Sequence, residues 1–237
     1  MQRSAETTPN PVFFSVSDDC IRLGLRAGAI VFRNVYVAAT NADLRAEIAK
    51  EVQVDRQRFA SPSDVRSIPE VAAFREILRK VGVNPRKEQP SLERLLTFGL
   101  KRGQLPAVNS LVDAYNLVSI RSSCSLGAHD LDKITLPVAL RLLTGRESFT
   151  PLGHEAPTPV VAGEYGYVDA SERVLCRLDL LQAEFSKVTL GSVNVLLIIE
   201  GTDAHSADML RQAFSEAVDR VTRYCGGTAE IVAAPFG

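Results

Sequence analysis

Between Leu105 and Asp132 the chain reads LPAVNSLVDAYNLVSIRSSCSLGAHDLD, and this stretch restricts the fold more than any other because it demands two different surroundings at once. Pro106 suits the start of a helix, Asn109 or Ser110 can cap it, and Ser110 with Asp113 has the spacing of a capping box. From there Leu111, Tyr115 and Val118 recur at i, i+4 and i+7 as one apolar stripe, while Asn109, Asp113 and Asn116 recur at the same spacing on another face. A helix of about three turns therefore needs a core on one side and polar surroundings on the other. Capping and solvation account for Asn109 and Asp113, which stand near the helix start. Asn116 lies further in, where an amide costs helix propensity, and a turn-forming run rich in serine follows. Such a polar face meeting a loop is as compatible with a solvated surface as with a cleft.

Around this stretch the pattern predicts strands at 12–16 and 29–37, then helices at 42–59, 69–81 and 91–101. Beyond it come a strand at 134–143, a hairpin from 164–169 and 173–177, and the most apolar strand at 193–199, ending at Glu200-Gly201. A helix at 206–224 stopped by Gly226-Gly227 and a strand at 228–233 complete the chain. Strands and helices mix without strict alternation, which implies an α+β fold, mixed sheets packed with helices, rather than a doubly wound sheet. The 237 residues suit one compact domain preceded by a flexible tail at 1–10.

Composition removes several classes of function. With 27 basic against 28 acidic residues there is no global basic field, so any nucleic-acid contact has to rest on a local patch. Lys50, Arg56, Arg58, Arg79, Lys80, Arg86 and Lys87 cluster, and read first as solvated helix faces, with RNA contact as the alternative. The four cysteines, Cys20, Cys124, Cys176 and Cys225, form no CxxC pair, which fits reduced thiols. The N-terminal residues resemble no signal peptide and the run Val195 to Ile199 is too short to cross a bilayer, so a cytoplasmic protein with no membrane partner is expected. Neither a glycine-rich phosphate loop nor HExxH occurs. A Cys124–His129 hydrolase lacks any marked third group, and Asp130 and Asp132 beside His129 fit loop bracing better than metal binding. No metal or cofactor is expected.

Two blocks carry a family resemblance. Residues 105–116 with Leu126-Gly127-Ala128-His129-Asp130-Leu131-Asp132, and Ser186-Lys187-Val188-Thr189 with Ser192-Val193-Asn194-Val195-Leu196-Leu197, resemble the B3/B4 tRNA-editing module of the phenylalanyl-tRNA synthetase beta subunit. They look still more like free-standing proteins built from that module. The resemblance spans roughly 90–202, and makes 11–237 a single B3/B4-like domain with 11–90 as its N-terminal extension. It implies a trans-editing hydrolase that deacylates mischarged aminoacyl-tRNA, first of all tyrosine or an analogue on phenylalanine tRNA. The partner is then the aminoacylated acceptor end of tRNA rather than DNA, and the oligomeric state is open.

In the family the terminal adenosine and amino acid enter a pocket beside the asparagine-bearing helix, which puts Asn116 at the site. Asn116 and His129 are accordingly the expected catalytic residues, and Asn109, Asp113, Glu184 and Glu200 the expected substrate-binding residues. Arg121, Arg141, Arg146, Arg177 and Lys187 are candidate contacts to the acceptor stem. Four family positions differ: Gly127 stands where the bacterial synthetases carry a pocket histidine, Tyr115 replaces a threonine, Gln182-Ala183 replaces a double glycine, and Ile198 aligns with a glutamate. Glu200 sits two residues beyond Ile198, on the same face of a strand. Two other classes of function are compatible with these changes: a noncatalytic RNA- or amino-acid-binding module, and a domain that docks a partner protein.

Overall fold

The most apolar strand is apolar because it has no wet side. In the computed structural model, which describes residues 13–236, β8 (Val195–Thr202) is buried along its whole length. It lies inside an antiparallel four-stranded sheet, between β3 (Ser125–Asp130) and β2 (Leu25–Arg33), with β9 (Thr228–Ala233) beyond β2. Register assigns each residue a face. Ile30 and Phe32 of β2, with Leu197 and Val195 opposite them, point to a helical layer, while Ala29 and Val31, with Ile198 and Leu196, point the other way. Burial on both faces turns the usual alternation into a continuous apolar run.

The helical layer contains α2 (Ala42–Arg58), α6 (Ser110–Ser122) and α7 (Ala207–Cys225). Each starts on a side-chain cap: Asn41 accepts from the Leu44 amide at 2.9 Å, Asn109 from those of Leu111 and Val112, and Ser206 from that of Met209 at 3.2 Å. Gly28 lets this layer close, since a Cβ there would lie 2.7 Å from Phe214 Cζ and 2.4 Å from the Ala233 carbonyl oxygen. The opposite face meets the second sheet, formed by β1 (Phe14–Val16), β4 (Val138–Leu142), β5 (Tyr165–Val168), β6 (Val174–Arg177) and β7 (Leu181–Gln182) in that order. Only β1 and β4 are parallel. Short helices α1 (Asp18–Leu23) and α3 (Pro62–Arg66) fill corners. The helices α4 (Pro69–Lys80) and α5 (Ser91–Arg102) are tied by a buried ion pair, Arg75 to Glu93 at 2.7 Å.

The α+β reading and the single compact domain hold, and the 164–177 hairpin is present. Several boundaries differ, and the strand expected at 134–143 is only Val138–Leu142. The strand expected at 29–37 occupies Leu25–Arg33, because Asn34 adopts a left-handed φ of 56° and turns the chain, leaving Val35 and Val37 buried outside any strand. The run after α6, read as a loop, is strand β3; its inward row of Ser125, Gly127 and His129 hides the two-residue apolar period. Glu200 does not end β8 but lies within it, held by a buried tyrosine. The tail expected at 1–10 lies outside the described residues.

Candidate functional site

Asn116 and Ser119 of α6 face Ser91, Arg94, Leu95 and Phe98 of α5 across a cavity of about 300 Å³, closed by Pro106, Leu126 and Leu180. The volume is at the low end for a small-molecule site, and the lining has the usual character of such sites, apolar walls with a few polar groups. Among the described residues no hydrogen bond engages the Asn116 carboxamide, so its two donors and its acceptor remain for a ligand or water. Phe98 is 37% exposed and presents its ring to the same space. Leu126 adds a backbone feature. β3 is an edge strand, and the Ala128 carbonyl (to Gln182 Nε2, 2.8 Å) and Asp130 N–H (to Ser186 O, 2.8 Å) point outward from it. Strand alternation sends the Leu126 peptide groups the same way.

A second depression, lined by Arg86, Lys87, Arg94, Arg177 and Leu180 among others, shares Arg94 and Leu180 with the first. Arg86, Lys87 and Arg94 are exposed, and among the described residues none is in an ion pair. The cations singled out from sequence behave differently. Arg121 is held by Glu51 and Glu216 at 2.7 Å each, Arg141 by Glu147 and Glu172 at 2.6 Å each, Arg177 by Glu164 at 2.5 Å, and Lys187 by Glu184. Of those five only Arg146 is exposed without an ion-pair partner among the described residues. Sequence exposes charge but not pairing, which is a long-range property.

The six expected site residues do not converge on one cavity. Asn116 lines the one between α5 and α6. Asn109 is spent on capping α6, its Oδ1 accepting from Leu111 N–H at 3.1 Å and Val112 N–H at 2.9 Å. Asp113 is buried, accepting from the Thr40 hydroxyl and from Val108 N–H at 3.0 Å, so it fastens two loops to the helix start. Burial raises its pKa against those two hydrogen bonds. Glu184 lies at the surface, accepting from Gly153 N–H at 2.9 Å and ion-paired to Lys187, which in that order hold its carboxyl below the ordinary range. Glu200 is 1% exposed, accepts from the Tyr167 hydroxyl, and faces the second sheet.

His129 is 2% exposed on that same inner face, with Nδ1 3.0 Å from Ser186 Oγ. Burial pushes its imidazole down to about 3, so it is neutral at ordinary pH. A folded value below the free value means that the stabilisation is complete above about pH 6.5 and is lost as pH falls toward 3. Stability curves by urea denaturation should therefore fall more steeply in the wild type than in His129→Gln over that range, by up to about 1.4 kcal/mol per pH unit. Parallel profiles would contradict it.

Among the described residues no group of three or more histidine, cysteine or acidic side chains is arranged to hold a metal ion, and no helix is long and apolar enough to cross a membrane. Sequence reasoning missed Ser91, Arg94 and Phe98. The only local signal was the helical spacing of Ser91, Leu95 and Phe98, which marks a face but not what it meets.

Residues 73–226 match the family model of the B3/4 domain. The chain belongs to the B3/4 family. The B3/4 segment begins within α4 and closes just after α7, so it contains every residue that lines the Asn116 cavity. β2 precedes it and yet occupies the interior of the four-stranded sheet. Among solved structures, an N-terminal fragment of the phenylalanyl-tRNA synthetase beta subunit from Pyrococcus horikoshii has a similar fold, with a TM-score of 0.51 and 14% identity. The match covers 96% of this chain and 52% of that one, so this chain spans about half the fragment's length. Comparison with functionally curated proteins finds no match.

Proposed function

We propose that this protein hydrolyses the ester bond of mischarged aminoacyl-tRNA in trans, with tyrosine or a close analogue on phenylalanine tRNA as its first substrate. Membership of the B3/4 family supports the reading, and the observation that carries it is the uncommitted Asn116 carboxamide facing a cavity beside Phe98 and Arg94. In this reading Phe98 stacks on the terminal adenine, since base stacking on an aromatic ring needs no sequence match. Arg94, with Arg86 and Lys87 on the adjoining rim, takes the phosphates. Asn116 binds the ester and orients a water against it. An aminoacyl ester is already activated, so positioning and hydrogen bonding to the developing oxyanion supply most of what hydrolysis requires. The Leu126 amide is a candidate second donor. The water oxygen bonds to the carbonyl carbon, the ribose oxygen leaves, and the proton released by the water passes to that ribose oxygen.

His129 takes no direct part in this scheme, because it is buried on the inner face of β3 and absent from the cavity lining. Asn109 and Asp113 act through the helix: they fix where α6 starts and so where Asn116 points.

The test is deacylation of tyrosyl-tRNA(Phe) by purified protein under single-turnover conditions, with correctly charged phenylalanyl-tRNA as the comparison. Hydrolysis no faster than in buffer ends the proposal. A second reading, a noncatalytic module binding the aminoacyl end, draws on the absence of any acid, histidine or cysteine from the cavity lining. Binding of charged tRNA without hydrolysis would select it. Under either reading Arg94→Ala should weaken tRNA binding and lower the slope of log K against log salt by about 1. An unchanged slope in a filter-binding series removes Arg94 from the interface.

A further inference from the structure

Behind the Ser91 wall of the cavity lies a second polar region that the hydrolysis scheme does not use. On the face of β3 and β8 that meets the other sheet, Ser125 is registered opposite Glu200 and Gly127 opposite Ile198, which makes Gly127 and Glu200 diagonal neighbours. Glu200 is 1% exposed; one carboxylate oxygen accepts from Tyr167, and Oε1, fully buried, has no partner. Asp179, at a left-handed φ of 56° just before β7, approaches from the second sheet. Its Oδ2 accepts from Ser91 Oγ at 2.8 Å, and Ser91 Oγ lies 2.6 Å from Ser125 Oγ. Ser91 therefore belongs both to the Asn116 cavity and to this carboxylate pair.

Three facts about this region stand together. A Cβ built on Gly127 meets nothing within 4 Å, so there is room in front of the strand. No lysine, arginine or histidine among the described residues pairs with Asp179 or Glu200, although eighteen ion pairs form elsewhere. Burial, and the charge of Asp179 beside it, push the Glu200 carboxyl well up, while burial moves Asp179 up only to about 6. Of the two, Glu200 is the one that holds a proton more firmly, and no cation among the described residues balances a charge on Asp179.

We propose that the space in front of Gly127, on the face of β3 and β8 that carries Glu200 and is approached by Asp179, is a subsite for a protonated amine of the ligand held at Asn116, so that these two acids select the ligand. The inference rests on the aminoacyl reading of the Asn116 cavity. An ammonium has three donors, enough to reach Glu200 Oε1 and Asp179, and it brings the positive charge that no side chain among the described residues supplies to them. A phenol or alcohol brings one donor and no charge. The amine is either the α-ammonium of the aminoacyl group or one at the end of its side chain; both are the same chemistry at different reach.

Calorimetric titration at neutral pH separates these cases with methyl esters of equal chain length: caproate with no amine, norleucine with the α-amine, and aminocaproate with the terminal amine. The wild type should bind one of the two amines at least about 10-fold more tightly than caproate, as a charge-assisted hydrogen bond would give. Asp179→Asn, which can still accept from Ser91, should abolish the preference. Gly127→Val, whose Cβ meets nothing within 4 Å and whose methyls enter the space, should abolish it too, and serves if the Asp179 variant does not fold. The proposal is overturned if caproate or a phenolic ester, methyl hydroxyphenylpropionate, binds as tightly as both amines, or if the preference survives either substitution. Amine preference without tRNA deacylation ends the hydrolase reading and keeps the subsite. Deacylation without amine preference does the reverse.

Discussion

Asn116→Ala should lower the rate of tyrosyl-tRNA deacylation about 100-fold, the cost of removing one preorganised donor to an oxyanion, while the protein becomes no less stable. The two halves of this expectation have one origin. Asn116 lies well inside α6, faces the cavity, and engages no hydrogen-bond partner among the described residues, so alanine removes nothing the fold uses. Alanine is also the better helix former, by roughly 0.5 kcal/mol. Loss of activity with an unchanged or raised melting temperature is therefore the signature of a residue kept for chemistry at a cost in stability. Asn116→Asp retains the shape but loses the donor amide, and should be as inactive as alanine. Single-turnover deacylation with matched thermal melts checks both. An alanine variant as active as wild type removes Asn116 from the mechanism and leaves the fold untouched.

The largest effect on stability is expected from Arg75→Ala. Arg75 reaches from α4 to donate to Glu93 Oε2 at 2.7 Å and to the Pro85 carbonyl at 3.0 Å. Both side chains are buried, Glu93 to 1% exposure, and Glu93 Oε1 already lacks a partner. Removing the guanidinium leaves a buried carboxylate with no counter-charge, which costs about 3–5 kcal/mol. The double variant Arg75→Met with Glu93→Leu removes both charges and should recover most of that loss, because the pair's attraction is largely offset by its desolvation. Urea denaturation measures the difference, and additive losses in the double variant would refute the coupling. The pair also sets the position of α5, which supplies Arg94 and Phe98, so Arg75→Ala should weaken tRNA binding even where the protein remains folded.

Much of the fold could be read locally because the signals are local. The Asn109 cap, the helix starts near 42 and 206, the Gly226 stop and the hairpin around Ser171 depend on residues a few places apart, and each appears where the pattern puts it. β3 could not be read this way. Its inward residues are serine, glycine and histidine, and they are tolerated inside only because Ser91, Ser186 and the space before Gly127 lie opposite. The same holds for the cations: Arg121 looks free in the sequence and is held by acids seventy and ninety-five residues away.

By itself the sequence determined most element types, the α+β class and the two-faced helix bearing Asn116, which follow from spacing and local residue preference, and it carried the B3/4 relationship as a resemblance between blocks of residues. Only the tertiary structure decided that α5 closes a cavity over Asn116, that His129 is sealed away as a neutral base, and that Asp179 meets Glu200 between the sheets. The physical reason is that burial, charge pairing and empty space belong to contacts between segments far apart in the chain, and no period along one segment encodes which other segment it will face.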